Sequence, residues 1–128
     1  MSVQLRPFAP LHWAETLIEG WQRNELAAEL RWQHCSFAVR GELAFVRRDP
    51  RGRPCVVLGP TPGLWVRLPA RLEDRAVGLT QGSIVELEVT MLGRQEGALT
   101  AEAASLHIRA LSPELTAPLG WKSMFPSA

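Results

Sequence analysis

The segment HCSFAVRGELAFVRR, residues 34–48, puts Phe37, Val39, Gly41, Leu43 and Phe45 on one parity and Ser36, Ala38, Arg40, Glu42 and Val46 on the other. Alternation over this length predicts a long strand with one face turned to a core. Gly41 stands mid-strand, where glycine weakens pairing unless the chain must bend, so a bulge or a sharp coil is expected there. A long first strand that bends at a glycine and runs into a basic turn and further short strands is how a small five-stranded barrel begins.

The chain on either side fits that start. RRDPRGRP, residues 47–54, carries the turn signals Asp49-Pro50 and Arg51-Gly52 and reads as a hairpin tip. Cys55–Leu58 forms a second strand. GPTPG, residues 59–63, is a stiff turn without the Lys-Ser/Thr sequel of a phosphate loop. Leu64, Val66 and Leu68 alternate with Trp65 and Arg67 in a third strand, and residues 70–77 can make a short helix. In the fourth strand Val85, Leu87, Val89 and Met91 face inward, with Glu86, Glu88 and Thr90 outward. Residues 92–97 turn into a fifth strand, 99–108, whose phase changes near Ala104-Ser105 and implies another bulge.

Upstream, Pro7 and Pro10 make residues 1–11 an extended arm. From His12 to Trp32 the pattern is helical, with Trp13, Leu17, Trp21, Ala28 and Trp32 at spacings of four and seven, widened by Ile18, Leu26 and Leu30. Such a stripe is expected to pack on the domain's own sheet rather than to offer a stacking surface to a ligand. The expected organisation is therefore an N-terminal arm and helix over 1–33, a barrel over 34–111 and an extended C-terminal tail over 112–128.

Composition narrows the functional classes. With 128 residues, 46% hydrophobic and 21% charged, the chain can bury one real core and is not globally disordered. A net charge of +1 suits neither a histone-like protein nor an acidic tail. Thirteen of the fourteen basic residues are arginine, which pairs bidentately with phosphate and carboxylate, although a GC-rich genome enriches it equally. No run reaches the roughly 18 apolar residues of a membrane span, and Pro7 and Pro10 interrupt any signal-peptide core, so a cytoplasmic location is expected. Cys35 and Cys55 share an inward parity and are expected to be reduced and buried. His12, His34 and His107 are scattered singly, so no metal or cofactor site is expected.

Helix, glycine-bent strand, basic hairpin, two short strands, small helix and closing hairpin together resemble the OB-fold, in particular its tRNA anticodon-like nucleic-acid-binding group. The match rests on Asn24 and Ala28, on Val39-x-Gly41-x-Leu43, on Leu79-Thr80-Gln81-Gly82-Ser83-Ile84-Val85 and on Gly97-Ala98-Leu99-Thr100-Ala101. VRGEL, residues 39–43, is also similar to the N-terminal OB domain of exonuclease VII large subunits. The resemblance covers about residues 21–110. It implies a mainly β five-stranded barrel with ligands lying across its second and third strands, between the first hairpin and the last.

On that face the sequence offers Trp65 and Arg67, with Arg40 nearby and Arg47, Arg48, Arg51 and Arg53 in or beside the first hairpin. Four arginines against Asp49 give residues 47–53 a charge of +3. An aromatic platform flanked by mobile cations suits single-stranded nucleic acid, DNA or RNA, because bases stack while phosphates pair. The expected role is thus non-enzymatic single-strand binding by an accessory factor. The rival is an OB module that binds protein, as an assembly subunit or inhibitor. Glu86 and Glu88, outward on one strand with Glu102 beside them, lack any nucleophile or metal partner and read as solvent-facing. Basic hairpin and acidic strand would make the barrel bipolar, which permits head-to-tail self-association. In the tail, Trp121 and Phe125 stand four apart, suited to docking in a partner's groove or to covering the barrel's own end.

Overall fold

The computed structural model describes residues 10–111, with side chains as far as residue 103. The expected tail, with Trp121 and Phe125, and residues 1–9 of the arm lie outside the described residues. The chain enters as a short strand, Leu11–Trp13 (β1), followed by two helices, Ala14–Arg23 (α1) and Glu25–Trp32 (α2). The long strand Ser36–Arg48 (β2) comes next, then Pro54–Leu58 (β3), Leu64–Arg67 (β4), a 3-10 turn at Ala70–Leu72 and Glu73–Val77 (α3). Ile84–Gln95 (β5) and Ala98–Leu111 (β6) complete the fold.

The single helix expected over 12–32 is two helices. Asn24 leaves helical geometry, with φ −156° and ψ 91°, and its side chain accepts a hydrogen bond from the Ala27 N–H at 3.0 Å, capping α2. The break folds Trp32 back to stack on Trp21, ring centroids 5.7 Å apart. Gly20 is required beneath that ring, since a Cβ there would lie 2.5 Å from it. The apolar stripe therefore splits. Ala14, Leu17, Ile18 and Trp21 enter the barrel core with Ala28, as expected of a helix packed on its own sheet, whereas Leu26 and Leu30 face outward.

Why β2 is so long is clear from its pairing. Ser36–Glu42 runs antiparallel to β5, and Leu43–Arg48 then pairs with β3, so one strand serves two neighbours. β3 pairs with β4, β4 runs parallel to β6, and β6 returns antiparallel to β5. The ring β2-β3-β4-β6-β5-β2 closes, with β1 added in parallel alongside β2. Five closed strands in this Greek-key order make the chain an OB-fold protein. Phe37, Val39, Val66, Leu87 and Val89 all lie inside, each at most 4% exposed, as their parity predicts. None of the described helices is long and apolar enough to cross a membrane.

Three local expectations are corrected. Gly41 is not the bulge: it pairs regularly with Val85, and a Cβ there would stand 2.8 Å from that of Ala14, so its role is to admit α1 against the strand. The register shift falls later, between Leu43 and Phe45, and reverses the phase. Val46 then packs against the core and Phe45 turns out to the opposite face. Cys35 is exposed rather than buried, because it precedes β2 in the connection from α2, beside His34 at φ 67°. The bulge expected in the last strand is present: three extra residues of β6 stand between the partners of Val89 and Leu87.

Candidate nucleic-acid interface

Two hairpin tips flank the outer face of β3 and β4. The first is wired by Asp49. Its Oδ1 accepts hydrogen bonds from the backbone N–H groups of Arg51 and Arg53, each at 2.9 Å. Its own N–H donates to the Arg53 carbonyl, while the Gly52 N–H donates back to the Asp49 carbonyl. Gly52, at φ 87°, supplies the left-handed residue the tip needs. The second tip is a two-residue turn at Glu96-Gly97, both at positive φ, the geometry that matches strand twist in a tight hairpin.

Between the tips lies a cleft of about 160 Å³, lined by Asp49, Pro50, Trp65, Arg67, Glu96 and Thr100 among others. Trp65 and Arg67 face outward from β4 as expected, with Arg67 opposite Cys55 on β3 and Glu102 on β6. The Trp65 ring stands edge-on to Phe45, centroids 5.9 Å apart. The Arg47 guanidinium lies over the other aromatic, 4.1 Å from the Phe45 centroid. Phe45 was missed by strict alternation, and the adjacent apolar pair Phe45-Val46 is the signal that could have found it, because one of two neighbouring strand residues must face out.

The floor is polar and tightly held. Asp49 Oδ2 lies 3.4 Å from Arg67 Nε, with the two side chains 7% and 15% exposed, and it makes no hydrogen bond. Burial opposes the Asp49 charge, but the two backbone N–H groups and the guanidinium groups of Arg67 and Arg53 outweigh it and hold the carboxyl below its ordinary value. Beside it, burial first and the Asp49 carboxylate second push the Cys55 thiol up to about 11, so this sulfur is no nucleophile at neutral pH.

Three of the hairpin's four arginines are held in ion pairs. Arg51 pairs with Glu96 at 3.3 Å, tying one tip to the other across the cleft, and Arg53 pairs with Glu102 at 2.6 Å. Arg48 reaches Glu73 of α3 and the Gly52 carbonyl. Arg47 alone of the four has no carboxylate partner among the described residues. Arg40 lies elsewhere: it sits where β2 meets β5, bonded through Nη2 to Glu86 at 2.7 Å and placed over Trp13 of β1. Glu86 is accordingly an ion-pair partner and not merely solvent-facing. The bipolar charge distribution gives way to local neutralisation, as acids and bases alternate around the cleft.

No protein-family model and no curated protein sequence matches the chain. Solved structures do match, in fold. A protein of Klebsiella pneumoniae, provisionally described as a nucleic acid-binding lipoprotein, superposes with a TM-score of 0.62 at 12% identity, over 86% of this chain and 98% of that one. A protein of Leishmania major provisionally described as an aspartyl-tRNA synthetase gives 0.56 at 14% identity, over 81% of this chain but 21% of that one. The asparaginyl-tRNA synthetase of Pyrococcus horikoshii gives 0.50 at 14% identity, over 70% and 25%. These likenesses agree with the OB-fold read from the strand order.

Proposed function

We propose that this OB-fold protein binds single-stranded nucleic acid, without catalysing a reaction on it, in the cleft between its two hairpin tips, as an accessory factor in nucleic-acid metabolism. The carrying observation is Trp65 in the lining of that cleft with the Phe45–Arg47 pair beside it: an aromatic ring, and a cation that has no carboxylate partner among the described residues. A base can stack on Trp65 irrespective of sequence, and the Arg47 guanidinium, held over Phe45, has no carboxylate to give up before it meets a phosphate. The description of the Klebsiella protein, matched over nearly its whole length, supports the same reading.

Because Arg51 and Arg53 are occupied by Glu96 and Glu102, phosphates must displace carboxylates to reach them. Affinity is therefore expected to come mainly from stacking, with a shallow dependence on salt. Titrating labelled oligo-dT and oligo-U at low and moderate salt tests this. Trp65→Ala should weaken binding by about 1–3 kcal/mol, the usual worth of one stacked base. Absence of any binding at low salt, where electrostatic attraction is strongest, ends the nucleic-acid reading. The alternative, an OB module that binds protein as an assembly subunit or inhibitor, is favoured by the same near-neutral face, on which five arginines meet four carboxylates (Arg47, Arg48, Arg51, Arg53 and Arg67 against Asp49, Glu73, Glu96 and Glu102).

A further inference from the structure

At the floor of the β3–β4 cleft two largely buried polar groups face each other without a hydrogen bond. One is Asp49 Oδ2, a buried oxygen that lacks a hydrogen-bond partner among the described residues. The other is the Arg67 guanidinium, whose Nε stands 3.4 Å from that oxygen. This ion pair is the one polar contact of the Arg67 side chain among the described residues, so both of its Nη groups remain as donors. Buried polar groups ordinarily have partners, and a pair left incomplete in the lining of a cavity marks where a ligand completes it. Trp65 lines the same cavity, two residues from Arg67 on the same face of β4. The volume of about 160 Å³ is below the roughly 300–1,000 Å³ of drug-sized sites and suits a single flat ring system.

Asp49 is pinned by the N–H groups of Arg51 and Arg53, so the first hairpin fixes the guanidinium in place through its Nε. The same carboxylate cancels the Arg67 charge, and Glu96 also lines the cavity, so the floor offers a phosphate little attraction. A neutral ring edge rich in acceptors suits it better. Unstacked bases of a single strand are read in this way, by stacking on an aromatic side chain and by hydrogen bonds along an open edge. Guanine sets O6 and N7 side by side, the acceptor pair that a guanidinium meets bidentately. Adenine has an amino group beside N7, and thymine has a methyl group beside O4. Cytosine has O2 beside N3, but O2 adjoins the glycosidic bond. A base entering edge first, with its sugar outside, cannot bring that atom to the floor. We infer that the cleft prefers guanine, stacked on Trp65 with O6 and N7 accepting from the two Nη groups of Arg67, and with Asp49 as the positioning residue. This inference rests on the reading of the cleft as a single-strand site and adds to it the base that is selected.

The test uses the full chain and fluorescein-labelled oligothymidylates of about nine nucleotides, within the usual span of one OB-fold, with the central base varied. Anisotropy at low salt gives the affinities. A central guanine should bind about tenfold more tightly than a central thymine, the low end for a bidentate contact. Hypoxanthine keeps O6 and N7 and should match guanine, whereas 7-deazaguanine, with carbon in place of N7, should fall most of the way to thymine. Arg67→Lys keeps a cation beside Asp49 but loses the planar pair of donors, and should bring the guanine-to-thymine ratio to about one. The base analogues need no variant, so a folding defect in Arg67→Lys leaves the test standing. Equal affinity for all central bases, a preference for cytosine, or 7-deazaguanine binding as well as guanine overturns the inference and leaves the single-strand reading of the cleft intact. Failure of every oligonucleotide to bind overturns both.

Discussion

The Asp49 carboxylate holds two backbone N–H groups of the first hairpin and lies beside Arg67 on the cleft floor. Its folded value is depressed below the ordinary 3.8, so its contribution to stability is complete above that pH and is lost as pH falls through the lower folded value. Urea unfolding followed into acid should show this loss. Asp49→Asn keeps one acceptor for the two N–H groups but carries no charge, and its stability should be less sensitive to pH there. The thiols offer a second check at this scale. Cys35 is exposed, while Cys55 is buried with its thiol at about 11, so a thiol reagent should modify one cysteine in the folded protein and two in denaturant. A third concerns packing. Gly41→Val should destabilise by about 1–3 kcal/mol in chemical denaturation, because the new side chain meets Ala14 and Leu58 with no room to move. Gly41 stands out in the sequence. That it admits a helix instead of bending the strand does not, because the neighbour it accommodates is 27 residues away in the chain.

Secondary-structure elements were legible where a single periodicity ran unbroken. The alternation in β2, β4 and β5 placed Val39, Val66 and Leu87 inside the barrel. It failed where one residue resets the phase, as at the Leu43–Phe45 shift that turns Phe45 toward Trp65. The helical stripe over 12–32 likewise continued across Asn24, since the spacing of tryptophans does not record that a cap interrupts it. Asn24→Ala should lower stability by about 1 kcal/mol, as loss of such a cap does, measurable as a shift in the denaturation midpoint. At the hairpins, the count of arginines was visible in the sequence but their pairing was not. Glu96 and Glu102 lie more than 40 residues beyond Arg51 and Arg53. If nucleic acid competes for those arginines, Glu96→Gln should strengthen oligonucleotide binding by about 0.2–1 kcal/mol, the worth of an exposed pair.

At the scale of the whole molecule, barrel closure brings together two hairpins that are distant in sequence and sets Trp65 between them. The same closure brings carboxylates to the arginines, so the protein presents an aromatic cleft of nearly balanced charge on one side. On the helical side it presents a groove lined by Arg23 and Arg31, neither with a carboxylate partner among the described residues. The claim that the cleft takes single strands is tested most directly by mapping chemical shifts of ¹⁵N-labelled protein as oligo-dT and oligo-U are added at low salt. The largest changes are expected at the Trp65 indole, at Phe45 and Arg47, and at the tips around Arg51 and Glu96. Changes confined to α1 and α2, or none at all, would contradict it.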